Sequence, residues 1–147
     1  MTTYRTVVVG TDGSDSSLRA VDRAGAIAAA ANANLIVATA HFPHADDTRA
    51  VDSLRDEGYK VTGNAPVYSI LRDARDRAKE AGASDIKERA ILGAPVEALL
   101  DLADEVSADL LVVGSVGLST VSGRLLGSVP ASISRKAKVD VLIVHTT

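Results

Sequence analysis

The chain contains no cysteine. That excludes a disulfide framework, thiolate metal sites and a thiol nucleophile, and it fits a reducing compartment. An excess of one charge is also missing. Sixteen Lys and Arg against nineteen Asp and Glu leave a net charge of −3, which suits solubility and gives no electrostatic case for nucleic acid or an anionic membrane. No segment approaches the roughly 20 apolar residues that span a bilayer. The apolar stretch near the start, Val7-Val8-Val9, is too short for a signal peptide. Together these features predict a soluble, cytoplasmic protein.

Three familiar signatures are missing as well. There is no G-x-x-x-x-G-K-[ST], so no P-loop lysine serves a triphosphate. The first glycine loop is G-x-x-G rather than the dinucleotide fingerprint G-x-G-x-x-G. No G-x-S-x-G elbow exists to activate Ser115 or Ser128 as a nucleophile. His41 and His44, near Asp46 and Asp47, offer at most a weak metal site and read as exposed loop residues.

What is present is a regular alternation. Four apolar runs, Thr6 to Val9, Leu35 to Ala40, Leu110 to Val113 and Val141 to Val144, read as strands buried on both faces. A fifth, Ile86 to Leu92, carries Lys87, Glu88 and Arg89 and reads as an edge strand. Between them lie helix-period stripes. The first is Leu18, Val21, Ala24 and Ala28. The second is Val67, Ile70, Leu71, Ala74, Ala78 and Ala81, closed by Gly82. The third is Val96, Leu99, Leu100 and Ala103, and a short helix follows from about Ser128 to Lys136. A β-α-β-α-β-α-β-α-β order calls for a doubly wound α/β fold, with a parallel sheet and helices on both faces. Its 147 residues fit a single domain, 1–147. The stretch from His41 to Ala65 is long for a βα connection; it reads as a flap over a ligand with a short helix around Asp47 to Gly58.

Glycines concentrate after the first strand, as Gly10-Thr11-Asp12-Gly13-Ser14, and after the fourth, from Gly114 to Ser128. In open parallel sheets the ligand sits beyond the C-terminal strand ends, where the strand order reverses. Glycine lets backbone amides converge on an anion, and Ser128 as an N-cap, with Pro130 in the first turn, makes a phosphate site at a helix N-terminus. Asp12 has two readings: an acceptor for ribose, base or phosphate-bound Mg²⁺, or a helix-initiating acid beside Ser14 and Asp15. Arg124 reads either as a phosphate contact or as a solvated loop residue.

These residues resemble the universal stress protein family, in its nucleotide-binding branch. Its G-x2-G-x9-G-[ST] signature is filled by Gly114, Gly117, Gly127 and Ser128. Val7 to Ser14 and the turn Gly93-Ala94-Pro95 also look like family features. The resemblance covers essentially the whole chain. It implies a five-stranded parallel sheet of order 3-2-1-4-5, Rossmann-like and of the adenine nucleotide α-hydrolase-like type, with strands one and four at the switch point. It further implies adenine near Gly10, Thr11, Asp12 and the end of strand two, Ala38 to Ala40. Ribose and phosphates would lie on Gly114, Gly117, Gly127, Ser128 and Val129. Strand five, Val141 to Val144, becomes an apolar edge, and the family's habit implies a homodimer through it.

The expected function is therefore a universal stress protein that binds an adenine nucleotide (ATP, AMP or cyclic AMP, with Mg²⁺ a companion of ATP) in stress response or signalling. Efficient phosphoryl transfer needs charge neutralisation and an oriented attacking group, and the phosphate loop contains no lysine. Slow ATP hydrolysis and a non-binding dimeric scaffold are the two alternatives. A phosphoacceptor receiver domain is rejected, because Gly93 and His145 stand where its aspartate and lysine belong.

Overall fold

In the computed structural model, residues 3–41, 65–115 and 128–145 are described. The elements run β1 (Thr6–Gly10), α1 (Asp15–Ala31), β2 (Asn34–His41), α2 (Ala65–Glu80), β3 (Asp85–Leu92), α3 (Pro95–Glu105), β4 (Leu110–Gly114), α4 (Ser128–Lys136) and β5 (Asp140–Val144). The strands form one five-stranded sheet of order β3-β2-β1-β4-β5, with every neighbouring pair parallel. The expected topology and alternation are both found. The flap and short helix expected between His41 and Ala65 fall on residues 42–64, outside those described.

Strand geometry sends successive side chains to opposite faces, and the central strands are apolar along most of their length because both faces are covered. On one face Val7, Val9, Leu35, Val37, Leu110 and Val112 pack against Ala20, Val21, Ala24 and Ala28 of α1 and Leu71, Ala74 and Ala78 of α2. On the other, Val8, Ile36, Ala38, Leu111 and Val113 meet Leu99, Leu102 and Ala103 of α3 and Val129 and Ile133 of α4. Gly25 lets α1 lie close to α2, and the Arg77 Nε donates across the same seam to Asp22 Oδ1 at 2.9 Å.

Three helices end alike. Asn32 (φ 55°), Gly82 (φ 115°) and Ser107 (φ 55°) take the left-handed conformation. The following amides, of Ala33, Ala83 and Ala108, donate to the carbonyls of Ala28, Ala78 and Ala103 at 2.9, 3.1 and 2.8 Å. This is the Schellman closure, which satisfies helix-end carbonyls. It drops a buried alanine beneath the sheet before each of β2, β3 and β4. Gly82 was legible as such a stop; Ser107 was not.

The two edges differ in chemistry. β3 alternates between exposed and half-buried positions, and its charges pair outward, Glu88 with Arg75 at 3.8 Å and Arg89 with Glu105 at 3.0 Å. β5 is apolar from Val141 to Val144, yet only Val144 is buried. Its sequence suggests a strand covered on both faces, but an edge position covers it incompletely. At the N-terminal end of the sheet, Asp109 accepts from the Arg5 and Thr6 amides. There the Tyr4 hydroxyl donates to Asp140 Oδ2 at 2.8 Å, which raises the Tyr4 pKa.

Candidate functional site

A shallow cleft opens at the C-terminal ends of β1 and β2, lined by Gly10, Thr11, Asp12, Ala38, Ala40, Pro95 and Leu99. Its cause lies in the side-chain pattern. On the α3 face, Val8 and Ile36 fill the space lower in the sheet, but one pleat further along the positions are Gly10 and Ala38, then Ala40. The side chains shrink just where α3 begins, and the start of that helix, Pro95 and Leu99, becomes the far wall. Five residues expected near the base are thus brought together: Gly10, Thr11, Asp12, Ala38 and Ala40. In the sequence Pro95 stands out only as part of a turn. Leu99 belongs by its spacing to a core stripe and is only 1 % exposed; periodicity does not reveal its part in the cleft.

The β1–α1 turn is closed on itself. The Asp12 amide donates to Ser17 Oγ at 3.3 Å, the Gly13 amide to Thr11 Oγ1 at 3.0 Å, and the Ser14 amide to Asp12 Oδ1 at 2.9 Å. Ser14 is the N-cap of α1, accepting from the Ser17 amide. Asp12 therefore does help to start the helix, by holding the cap residue. Gly13 sits at φ 86°, and a Cβ there would lie 3.0 Å from Ile70 Cγ1, so both backbone and packing require glycine. With its amides engaged internally, this turn presents a carboxylate to the cleft rather than a nest of N–H groups. It suits a hydrogen-bond donor and disfavours a phosphate.

The edge of β2 supplies the complementary feature. The last register pair between β1 and β2 is Gly10 with Ala38, and the Thr11 amide donates to the Ala38 carbonyl at 2.9 Å. On the opposite side the His41 carbonyl accepts from the Gly93 amide at 2.9 Å. Backbone groups alternate in direction along a strand. The N–H and C=O of Ala40 therefore point to the β1 side, where β1 has already turned away into α1. One donor and one acceptor, side by side, face the cleft.

The residues expected at the phosphates are distributed differently. Gly114 ends β4 opposite Val144, on the other side of β1 from β2, so the strand order reverses between β1 and β4 as expected. Ser115 is buried, its amide donating to the Val144 carbonyl at 2.8 Å. Ser128 is the first residue of α4 rather than the cap that precedes it. The Val129 side chain is 2 % exposed and belongs to the core, so its amide is what it can offer a ligand. Gly117, Arg124 and Gly127 lie outside the described residues, as do His44, Asp46 and Asp47. Among the described residues no group of three His, Cys, Asp or Glu could hold a metal ion, and no helix is long and apolar enough to cross a membrane.

Comparison with known proteins agrees with this geometry. Residues 3–145 match the model of the universal stress protein family. Universal stress protein Rv1636 of Mycobacterium tuberculosis is 68% identical over 147 residues, covering 100% of both chains. A crystal structure of a universal stress protein in complex with cAMP superposes with a TM-score of 0.78 at 64% identity, covering 99% of this chain and 100% of that one. The universal stress protein of Archaeoglobus fulgidus in complex with dAMP shares the fold, with a TM-score of 0.68 at 23% identity over 97% of this chain and 98% of that one. A family match over residues 3–145 and a relative 68% identical over the full length mean that this chain belongs to the universal stress protein family.

Proposed function

We propose that this protein binds an adenine nucleotide at the Ala40 edge, with 3′,5′-cyclic AMP as the ligand, and that it serves as a cytoplasmic binding protein in stress response or signalling. The observation that carries the reading is the donor–acceptor pair of Ala40. Adenine presents the N1 lone pair beside the N6 amine, which complements one N–H and one C=O. Guanine presents an N1 hydrogen beside O6, the reverse pattern, and meets donor with donor. Recognition of a base by its Watson–Crick edge is a general device for selecting it. The choice of cyclic AMP rests on charge. The described lining of the cleft contains one ionisable residue, Asp12, and no lysine or arginine. A singly charged nucleotide meets less repulsion there than a triphosphate does. The relative at 64% identity that was crystallised with cAMP supports the same choice.

A thermal-shift panel tests the reading. Ligand at 100 times its dissociation constant stabilises a fold by about 2.7 kcal/mol, or roughly 5–10 °C in Tm for a domain of this size. Cyclic AMP is expected to give such a shift, AMP and ATP smaller ones at equal concentration, and cyclic GMP none. Equal shifts with cyclic AMP and cyclic GMP would remove the Ala40 edge as the base reader, and no shift with any of them would remove nucleotide binding.

The same reading takes residues 1–147 as one domain and pairs two copies through β5. An apolar edge strand with unpaired backbone groups is a template for another strand, and Val141, Leu142 and Ile143 are only half-buried. Sedimentation at micromolar concentration is expected to give a dimer; a monomer would refute the pairing.

A further inference from the structure

We infer that the buried hydroxyl pair of Thr11 and Ser17 is a positioning device: it sets the Asp12 carboxylate to accept a hydrogen bond from the ribose 2′-hydroxyl, and so gives the site a preference for ribonucleotides over 2′-deoxyribonucleotides. This rests on the adenine-nucleotide reading above and deepens it.

Ser17 is 0% exposed and Thr11 1%. The inward face of α1 is otherwise Ala20, Val21, Ala24 and Ala28, so alanine would fit the position sterically, and a buried hydroxyl costs free energy unless it is bonded. The two hydroxyls lie 2.7 Å apart, and either can donate to the other. Ser17 Oγ is also within 3.0 Å of the Ser14 carbonyl, a second acceptor for its hydrogen. Whichever hydroxyl donates, Thr11 Oγ1 accepts from the Gly13 amide and Ser17 Oγ from the Asp12 amide. The backbone on both sides of Asp12 is thereby tied to two side chains inside the protein. Its Oδ1 is held by the Ser14 amide, and the residue lines the cleft.

What the carboxylate meets follows from the chemistry of the cleft. A carboxylate only accepts hydrogen bonds, and no lysine or arginine lies among the described lining residues. It calls for a neutral donor. In 3′,5′-cyclic AMP the 3′- and 5′-oxygens are esterified, so the 2′-hydroxyl is the ribose donor that remains. The adenine amine is already matched to the Ala40 carbonyl. A hydrogen bond to an ionised group contributes enough that losing it lowers affinity by about tenfold or more.

Titration calorimetry with cyclic AMP and 2′-deoxy cyclic AMP tests the device in the wild type, Ser17→Ala, Asp12→Asn and the double variant. The wild type is expected to prefer cyclic AMP by about tenfold or more. Ser17→Ala should cut cyclic AMP affinity by about that factor and move 2′-deoxy cyclic AMP by less than about twofold. In the Asp12→Asn background, Ser17→Ala should add less than about twofold for either ligand. Thr11→Val, which removes the other half of the pair, should likewise erase the preference and provides the test if Ser17→Ala fails to fold. Equal losses for both ligands would make the pair merely structural, and an unchanged ratio or a wild type without preference would also overturn the inference. A wild type that binds neither compound would instead overturn the nucleotide reading itself.

Discussion

Replacing Ala40 with phenylalanine is expected to abolish cyclic AMP binding, lowering affinity by more than about a hundredfold, while the protein stays folded. Ala40 lies near the end of β2 on the cleft side of the sheet, opposite Ile91 of β3, and is half-buried rather than enclosed. A phenyl ring there projects into the cleft and occupies space the base would need. The backbone pair that reads the base would be unchanged but could no longer be reached. The fold should tolerate the change, because aromatic residues suit strands and the ring would enter a cleft rather than a packed core. The paired measurement is Tm without ligand and calorimetry with cyclic AMP. Retained binding would show that the base lies elsewhere, whereas a collapsed Tm would show that the cleft is more tightly closed than its lining indicates.

Gly25→Val is expected to lower stability by about 3 kcal/mol, a fall of about 10 °C in Tm for a domain of this size. Two effects oppose each other at this position. Glycine inside a helix costs up to about 1 kcal/mol relative to alanine, so helix propensity alone favours replacing it. Packing reverses that expectation. A Cβ at Gly25 would come within 2.9 Å of the Ala78 carbonyl oxygen, 2.9 Å of Ala81 Cβ and 3.0 Å of Ala78 Cα. Two of these are backbone atoms of the neighbouring segment and cannot rotate away. The seam between α1 and α2 would have to open, and the branched side chain of valine would widen it further. Overpacking therefore outweighs propensity. The effect should reach the cleft as well, since Ile70 of α2 rests against Gly13 beside Asp12. Thermal melts of Gly25→Ala and Gly25→Val should decline in that order; a rise in Tm for both would mean that the seam has slack.

Much of the architecture could be read directly. Short β-branched runs alternating with helix-period stripes required a parallel doubly wound sheet, and the charges of Lys87, Glu88 and Arg89 placed β3 at an edge. The glycines after β1 and β4 indicated the crevice. The order 3-2-1-4-5 came from the family resemblance carried by Gly114, Gly117, Gly127 and Ser128. Ser107 gave no clear sign that it ends a helix, because serine has no preference for the left-handed region and is placed there by the closure around it, whereas Asn32 is a residue that tolerates that region by itself.

The amino-acid sequence by itself determined which segments become strands and helices, which strand is charged, and where small residues gather, since these depend on the order of neighbours along one chain. Tertiary structure alone decided that Leu99 and Pro95 close the cleft, that Gly25 is a contact point rather than a weakness, and that the turn amides at Asp12, Gly13 and Ser14 are used internally. It also decided that the Ala40 backbone points to the side where β1 has already ended. Each of these depends on where a second element stops or how closely it approaches, which the spacing of residues along one element does not reveal.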